Sequence, residues 1–143
     1  MVVNENSNAI GEVQGMLEAM PFAKLLGIRI VAVSKDELVS SLTWREELTT
    51  TGLVVHGGVL MGFADAVGAL LAFLNLPPGT GTTTVESKTN FFKAATEGVT
   101  LTAISKPLSV GRSFIVVQTD VFNEKKQRIA QVTQTQAVLG ARL

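Results

Sequence analysis

The sequence predicts an α+β domain in which an antiparallel sheet wraps around one long helix. Three observations predict it. His56 to Leu74, HGGVLMGFADAVGALLAFL, reads as a single helix that is apolar nearly all round and is therefore expected to be buried on all sides. The segments flanking it, Ile28 to Trp44 and Thr82 to Leu139, alternate in polarity and are rich in Thr and Val, as strands are. Such a sheet needs something to cover its apolar face, and the long helix is the element available.

The elements follow in order. Residues 1 to 8 carry no apolar periodicity and are expected to be frayed or disordered. Ile10, Val13, Leu17 and Met20 fall at helical spacing, so a short amphipathic helix is expected from Ala9 to Met20. Pro21 ends it. Phe22 to Leu26 gives one further turn, closed by Gly27. Ile28 to Val33 alternates as a strand, Ser34-Lys35-Asp36 is a tight turn, and Glu37 to Trp44 returns as the second strand of a hairpin. Arg45 to Val55 is a loop into the central helix. Beyond it, NLPPGTG (Asn75 to Gly81) is a strong breaker. Four strands then follow: Thr82 to Phe92, Val99 to Ser105 with Lys106-Pro107 bending or ending it, Arg112 to Phe122, and Arg128 to Leu139. The turns between them are Ala94 to Gly98 and the polar Asn123 to Gln127. No internal repeat or linker divides the 143 residues, which are expected to form one domain with a core of ordinary size.

Composition narrows the function. Hydrophobic residues make up 46% of the chain and charged residues only 17%, so more surface is expected to be covered than a monomer covers, which points to an oligomer. The 12 basic and 12 acidic residues balance, and no basic run stands out, which argues against a nucleic-acid partner. The lack of cysteine excludes disulfides, thiol chemistry and thiolate metal sites, and a single histidine makes a His-based zinc site a poor reading. No metal or cofactor is expected. The opening MVVNENSNAI lacks the basic region and long apolar run of a signal peptide. Gly57 to Leu76 approaches the roughly 20-residue length of a membrane span. Asp65 near its middle, four glycines and the strands that follow speak against that reading, so a cytoplasmic chain away from the membrane is expected.

Between His56 and Glu86 the only charged side chain is Asp65. A lone carboxylate among apolar residues is expensive unless something satisfies it. It is either a structural cap or a working group. Gly57 and Gly58 open the helix, where free N–H groups and the positive end of the dipole offer an oxyanion or carbonyl-polarising site. Their plainer role is close packing on the sheet. His56 caps the helix, orients the loop or binds substrate. Asp65 lies nine residues after His56, about 13 Å along a helix. A site that uses both the Gly57 N–H and the Asp65 carboxylate therefore needs two copies of the helix, side by side and antiparallel, and predicts a dimer with composite sites. Thr82, Thr83 and Thr84 are candidates for positioning water. Lys93, Lys106 and Arg112 flank turns, as phosphate ligands or as solvated ends. Glu46-Glu47 and Lys125-Lys126 read as solvated surface. Phe63, Val67, Leu70, Leu71 and Phe73 line a pocket or fill the core.

Taken together these residues resemble the hotdog-fold acyl-CoA thioesterases, in particular the PaaI-like (phenylacetate-pathway) branch. The likeness spans roughly Phe22 to Leu139. It rests on His56-Gly57-Gly58 followed by Asp65 within VLMGFAD, on Thr84-Val85-Glu86 through Asn90-Phe91-Phe92-Lys93-Ala94 with Gly98 after it, and on Gly111-Arg112-Ser113. The resemblance implies a hotdog fold. It also implies hydrolysis of an acyl-CoA thioester to free acid and coenzyme A, with no cofactor beyond the coenzyme A of the substrate. The carbonyl would be polarised by the Gly57 N–H, with Gly58 and Val59 beside it. Asp65 of a neighbouring subunit would act as general base or nucleophile. His56 would orient the site, Thr84 would help place water, and Lys93 and Arg112 would hold the coenzyme A phosphates across a subunit boundary. The assembly would be a dimer or a tetramer formed as a dimer of dimers. Two departures stand out: Thr50, Thr51 and Gly52 occupy the region where such enzymes carry Asn or Gln, and Ala94 stands for a usual Pro.

Two other classes compete. Hydratases and dehydratases of this fold rely on a catalytic His paired with an acid in motifs that are absent here. A non-catalytic acyl-CoA-binding or regulatory protein of the same fold would be expected to lose the helix acid, which is present as Asp65. The end at Leu143, just after the last strand, leaves no DNA-binding appendage in the expected architecture.

Overall fold

The structure, a computed structural model, describes residues 2–140. Its elements are α1 (Val2–Glu18), α2 (Pro21–Leu26), β1 (Arg29–Val33), β2 (Leu38–Thr43), α3 (Gly57–Leu74), β3 (Gly81–Phe91), β4 (Thr100–Val110), β5 (Phe114–Phe122) and β6 (Arg128–Leu139). Single 3-10 turns at Glu46–Leu48 and Thr51–Leu53 interrupt the loop ahead of α3. The strands form one antiparallel sheet in the order β1-β2-β4-β5-β6-β3. It curls around α3 in the expected hotdog arrangement.

The helix ends follow local chemistry. The first helix starts at Val2 rather than at Ala9. Apolar spacing marks only the part of α1 that packs, with Val13 and Leu17 buried. The polar residues before it include no Pro or Gly until Gly11, so nothing stops the backbone turn from extending. Pro21 opens α2, and Gly27, at φ 75°, closes it in the left-handed conformation. The Arg45 guanidinium then donates to the Leu25 and Leu26 carbonyls at 2.7 and 3.0 Å. At the far end of α3 the Asn75 side chain donates to the Leu71 carbonyl at 3.0 Å.

Two further expectations need correction. The strand that Lys106-Pro107 was expected to bend or end continues to Val110, with a register shift between Pro107 and Ser109. β2 stops pairing with β4 at Ser105, so Pro107 lies where the strand has lost one neighbour and needs no N–H on that side. The second correction concerns α3. Leu60, Phe63, Ala64, Val67, Leu70 and Leu71 are buried against the sheet, but the stripe Gly58–Met61–Asp65–Ala69–Phe73 is not. Met61 is 40% exposed and Phe73 46%. A helix that is apolar all round is thus covered on only one side within a single chain. Length and composition alone would let α3 cross a membrane, yet half of it is buried within the fold.

Candidate functional site

The start of α3 is built to hold still. Leu48 and Val55 are buried, and they anchor the two sides of the preceding loop. The His56 N–H donates to the Leu48 carbonyl and the Thr50 N–H to the Val54 carbonyl, each at 2.8 Å, and the Trp44 indole N–H donates to the Leu53 carbonyl at 2.9 Å. These contacts enforce a positive φ of 60° at Leu53, next to Gly52 at 81°, a conformation that a branched side chain rarely adopts. His56 is the N-cap: its Nδ1 accepts from the Gly58 N–H at 2.8 Å. Nδ1 therefore carries no proton, and in the neutral ring the proton sits on Nε2. Gly58 has spent its N–H on this cap. Gly57, at the first helical position, has no acceptor within the helix. Its N–H is the one left to face a carbonyl.

Gly57 also borders a cavity of about 380 Å³, together with Leu60, Phe91, Phe92, Lys93 and Ala95. The Phe91 ring lies over the helix start so closely that a Cβ on Gly57 would sit 3.2 Å from its Cζ. The structure thus brings Gly57 and Lys93 together. It does not bring Arg112 to them. Phe91 pairs with Ala130 at one end of β6, whereas Arg112 lies in the turn beside Leu139 and Ala137 at the other, about 30 Å away along the strand. Val59 packs against the core and is not among the residues that line this cavity. Lys106 sits within β4, paired with Glu37 at 3.4 Å, rather than beside a turn.

Asp65 is satisfied by a chain of side chains from two strands. The Thr84 hydroxyl donates to Asp65 Oδ1 at 2.6 Å, and Gln134 Nε2 donates to the same oxygen at 3.2 Å. Gln136 Nε2 donates to the Thr84 hydroxyl at 2.6 Å, and the Thr82 hydroxyl donates to Gln136 Oε1 at 3.1 Å. Among the described residues nothing donates to Oδ2. Both bonds hold one oxygen of the carboxylate and leave the other available. Thr84 uses its hydroxyl hydrogen bond on Asp65, so within one chain it orients the carboxylate.

A bulge makes this delivery possible. Thr84 pairs with Gln136 and Glu86 with Thr135, which leaves Val85 as an extra residue in β3. Ahead of it Thr82 and Thr84 face α3; after it Ser87 and Thr89 take the inward places, and Phe91 reaches Gly57. Without the bulge, residues an odd number apart would point to opposite faces.

Gln134 and Gln136 are the residues that the sequence reading missed. Both are fully buried. Their signal lay in parity: on β6 they share the face of the buried Ala130 and Val132. Gly68, one turn past Asp65, completes the arrangement. A Cβ there would lie 2.6 Å from Gln134 Cδ and closer still to its Oε1, so only glycine leaves room for the amide. Of the five apolar residues proposed as pocket or core, Phe63, Val67, Leu70 and Leu71 are core, and Leu70 and Phe73 line a second cleft.

Comparison with known proteins agrees with this architecture. Residues 52–130, more than half of the chain, match the family model described as the thioesterase superfamily. A candidate esterase of Deinococcus radiodurans is 32% identical over 104 residues, covering 73% of this chain and 68% of its own. A Streptococcus mutans protein solved with acetyl-CoA superposes with a TM-score of 0.74 at 25% identity, over 81% of this chain and 91% of that one. The PaaI protein of the Escherichia coli phenylacetic acid degradation operon has a TM-score of 0.78 at 23% identity, over 90% and 91%. At that identity the last likeness is one of fold.

Proposed function

The chain belongs to the thioesterase superfamily, a class of thioester hydrolases, and from that premise we propose that it hydrolyses an acyl-CoA thioester to the free acid and coenzyme A at a site shared by two subunits. The observation that carries this reading is the separation of two half-sites on one helix. Gly57 offers an uncommitted N–H inside a cavity. Asp65 offers a carboxylate held by one oxygen, eight residues on and about 12 Å along the axis. Two α3 helices packed antiparallel would bring Gly57 of one beside Asp65 of the other. The twofold axis relating them would pass the midpoint of 57 and 65, which is Met61, the exposed apolar residue in the middle of the open stripe. The same pairing would cover the part of the stripe from Gly58 to Asp65.

In this reading the thioester carbonyl accepts from the Gly57 N–H, where the helix dipole stabilises the charge that develops on oxygen. Asp65 takes the proton of a water as its oxygen attacks the carbonyl carbon, or attacks directly. The carbon–sulfur bond then breaks and coenzyme A leaves as the thiolate, which takes up a proton; after direct attack, water hydrolyses the acyl–Asp65 anhydride to the free acid and the regenerated carboxylate. Lys93, at the edge of the Gly57 cavity, suits a phosphate, and Arg112 reaches the ligand only from another subunit. The neighbour solved with acetyl-CoA supports coenzyme A as the carrier. The HGG-to-Asp65 spacing supports the PaaI-like branch.

The test is thiol release from a panel of acyl-CoA thioesters, with wild type and Asp65→Asn side by side. The expected loss in the variant is about 100-fold or more with the fold intact. Wild-type turnover in Asp65→Asn would sink the assignment. Tight binding without hydrolysis by the wild type would make the protein an acyl-CoA-binding member of the fold instead.

A further inference from the structure

A second cleft, of about 360 Å³, lies over the outer face of the C-terminal half of α3, walled by Met16, Met20, Ala69, Leu70, Phe73 and Thr82. We propose that it receives the acyl tail of the substrate, and that the substrate class is a wholly apolar, flexible acyl group rather than a hydroxylated or charged one. This inference rests on the thioesterase reading above.

Position is the first argument. Ala69 and Phe73 stand one and two helical turns beyond Asp65 on the same stripe, so the cleft begins about 6 Å along the helix axis from Asp65. Thr82, on its opposite wall, belongs to the hydrogen-bonded chain that ends at Asp65. A carbonyl carbon held against Asp65 thus has its substituent directed to one of two places: the Gly57 cavity that contains Lys93, or this cleft. The Lys93 ammonium at the edge of the Gly57 cavity suits the phosphates of the coenzyme, which leaves the cleft for the acyl group.

Chemistry is the second argument. Apart from Thr82 the walls are hydrocarbon and thioether. The Thr82 hydroxyl has its proton engaged by the Ala137 carbonyl at 2.9 Å and by Gln136 Oε1 at 3.1 Å. No lining side chain is left to donate to a hydroxyl or carboxylate on the acyl group, and the Thr82 oxygen is the one side-chain acceptor, so a polar group buried there would lose most of its hydrogen bonds to water. Two methionines make the wall adaptable, which suits a flexible chain more than one rigid ring. The volume falls within the range of small-molecule sites.

The experiment compares kcat/KM for acetyl-, butyryl-, octanoyl- and palmitoyl-CoA, and for octanoyl-CoA carrying a terminal hydroxyl or carboxylate, using wild type and two cleft-filling variants. Ala69→Phe fills the cleft from α3. Met16→Trp fills it from α1, at a position exposed enough that the fold tolerates it. The octanoyl-to-acetyl ratio is expected to fall about tenfold or more in each variant, and the terminal polar group is expected to cost wild type about as much. An unchanged ratio in Met16→Trp, or equal rates for polar and apolar octanoyl groups, would overturn the pocket while leaving the thioesterase standing. A wild type inactive on the whole panel would overturn both.

Discussion

Gly68→Ala is the sharpest probe of how the carboxylate is held. In most helix interiors this change stabilises by about 1 kcal/mol, because alanine is the better helix former. Here the new methyl would enter the space of the Gln134 amide. Gln134 is fully buried and has no solvent to swing into, so the overlap must be relieved by a shift of side chain or backbone. Overpacking of this kind costs about 1–3 kcal/mol. Displacing the amide also breaks its 3.2 Å bond to Asp65 Oδ1, and hydrogen bonds to charged groups are worth about 1.5–3 kcal/mol. The half-exposed carboxylate recovers part of this from water. A net loss of about 2–3 kcal/mol is expected, equivalent to roughly 6–10 °C in Tm for a chain of this length. Urea unfolding of Gly68→Ala, Gln134→Ala and the double variant gives the assay. With Gln134 truncated, Gly68→Ala should become neutral or stabilising, so the cycle should show a coupling of about 2 kcal/mol. Equal effects of Gly68→Ala in both backgrounds would refute the steric account.

The remaining predictions concern the strand and the open stripe. Thr84→Val removes the 2.6 Å bond to Asp65 and leaves buried Gln136 Nε2 without its acceptor; it should lower Tm and cut kcat about tenfold, and Thr84→Ser should restore both. Rescue failing in the serine variant would show that the methyl group, not the hydroxyl, is what matters. Met61→Glu should give monomers by light scattering and lose turnover about 100-fold with its secondary structure intact, since each site would lose its partner half. A fully active monomer, of wild type or variant, would refute the shared site.

Much of this fold was legible because apolar periodicity and punctuation agreed. The bounds of α3, the Gly27 cap, the first hairpin and β6 all follow from spacing, Pro and Gly. What stayed hidden depends on contacts between distant parts of the chain. Nothing local to Pro107 says that β2 has already ended beside it. The all-apolar pattern of α3 points to burial on all sides, whereas one side is left uncovered by its own chain. At the candidate site the carboxylate and the helix-opening glycines stood out, since a single charge in an apolar run is costly. Gln134 and Gln136 did not, because glutamine in a Thr-rich strand looks like solvent-facing polarity until the buried face is fixed by Ala130 and Val132. Arg112 and Lys93 both flank turns, but only the strand register reveals that the turns lie at opposite ends of the sheet.

The extra residue in β3 has a consequence for how this chain can change. Val85 is 57% exposed, so by side-chain criteria it is among the most replaceable positions in the strand. Its identity is free, yet its presence is not. Removing it would restore an even ladder and force a choice: either Thr84 keeps its place beside Asp65 and Phe91 turns away from Gly57, or the reverse. Substitution scanning would score position 85 as indifferent, whereas deletion scanning would score it as essential. Thr84 and Phe91, which serve the two half-sites, are held in phase by chain length alone, a kind of information that no single side chain carries.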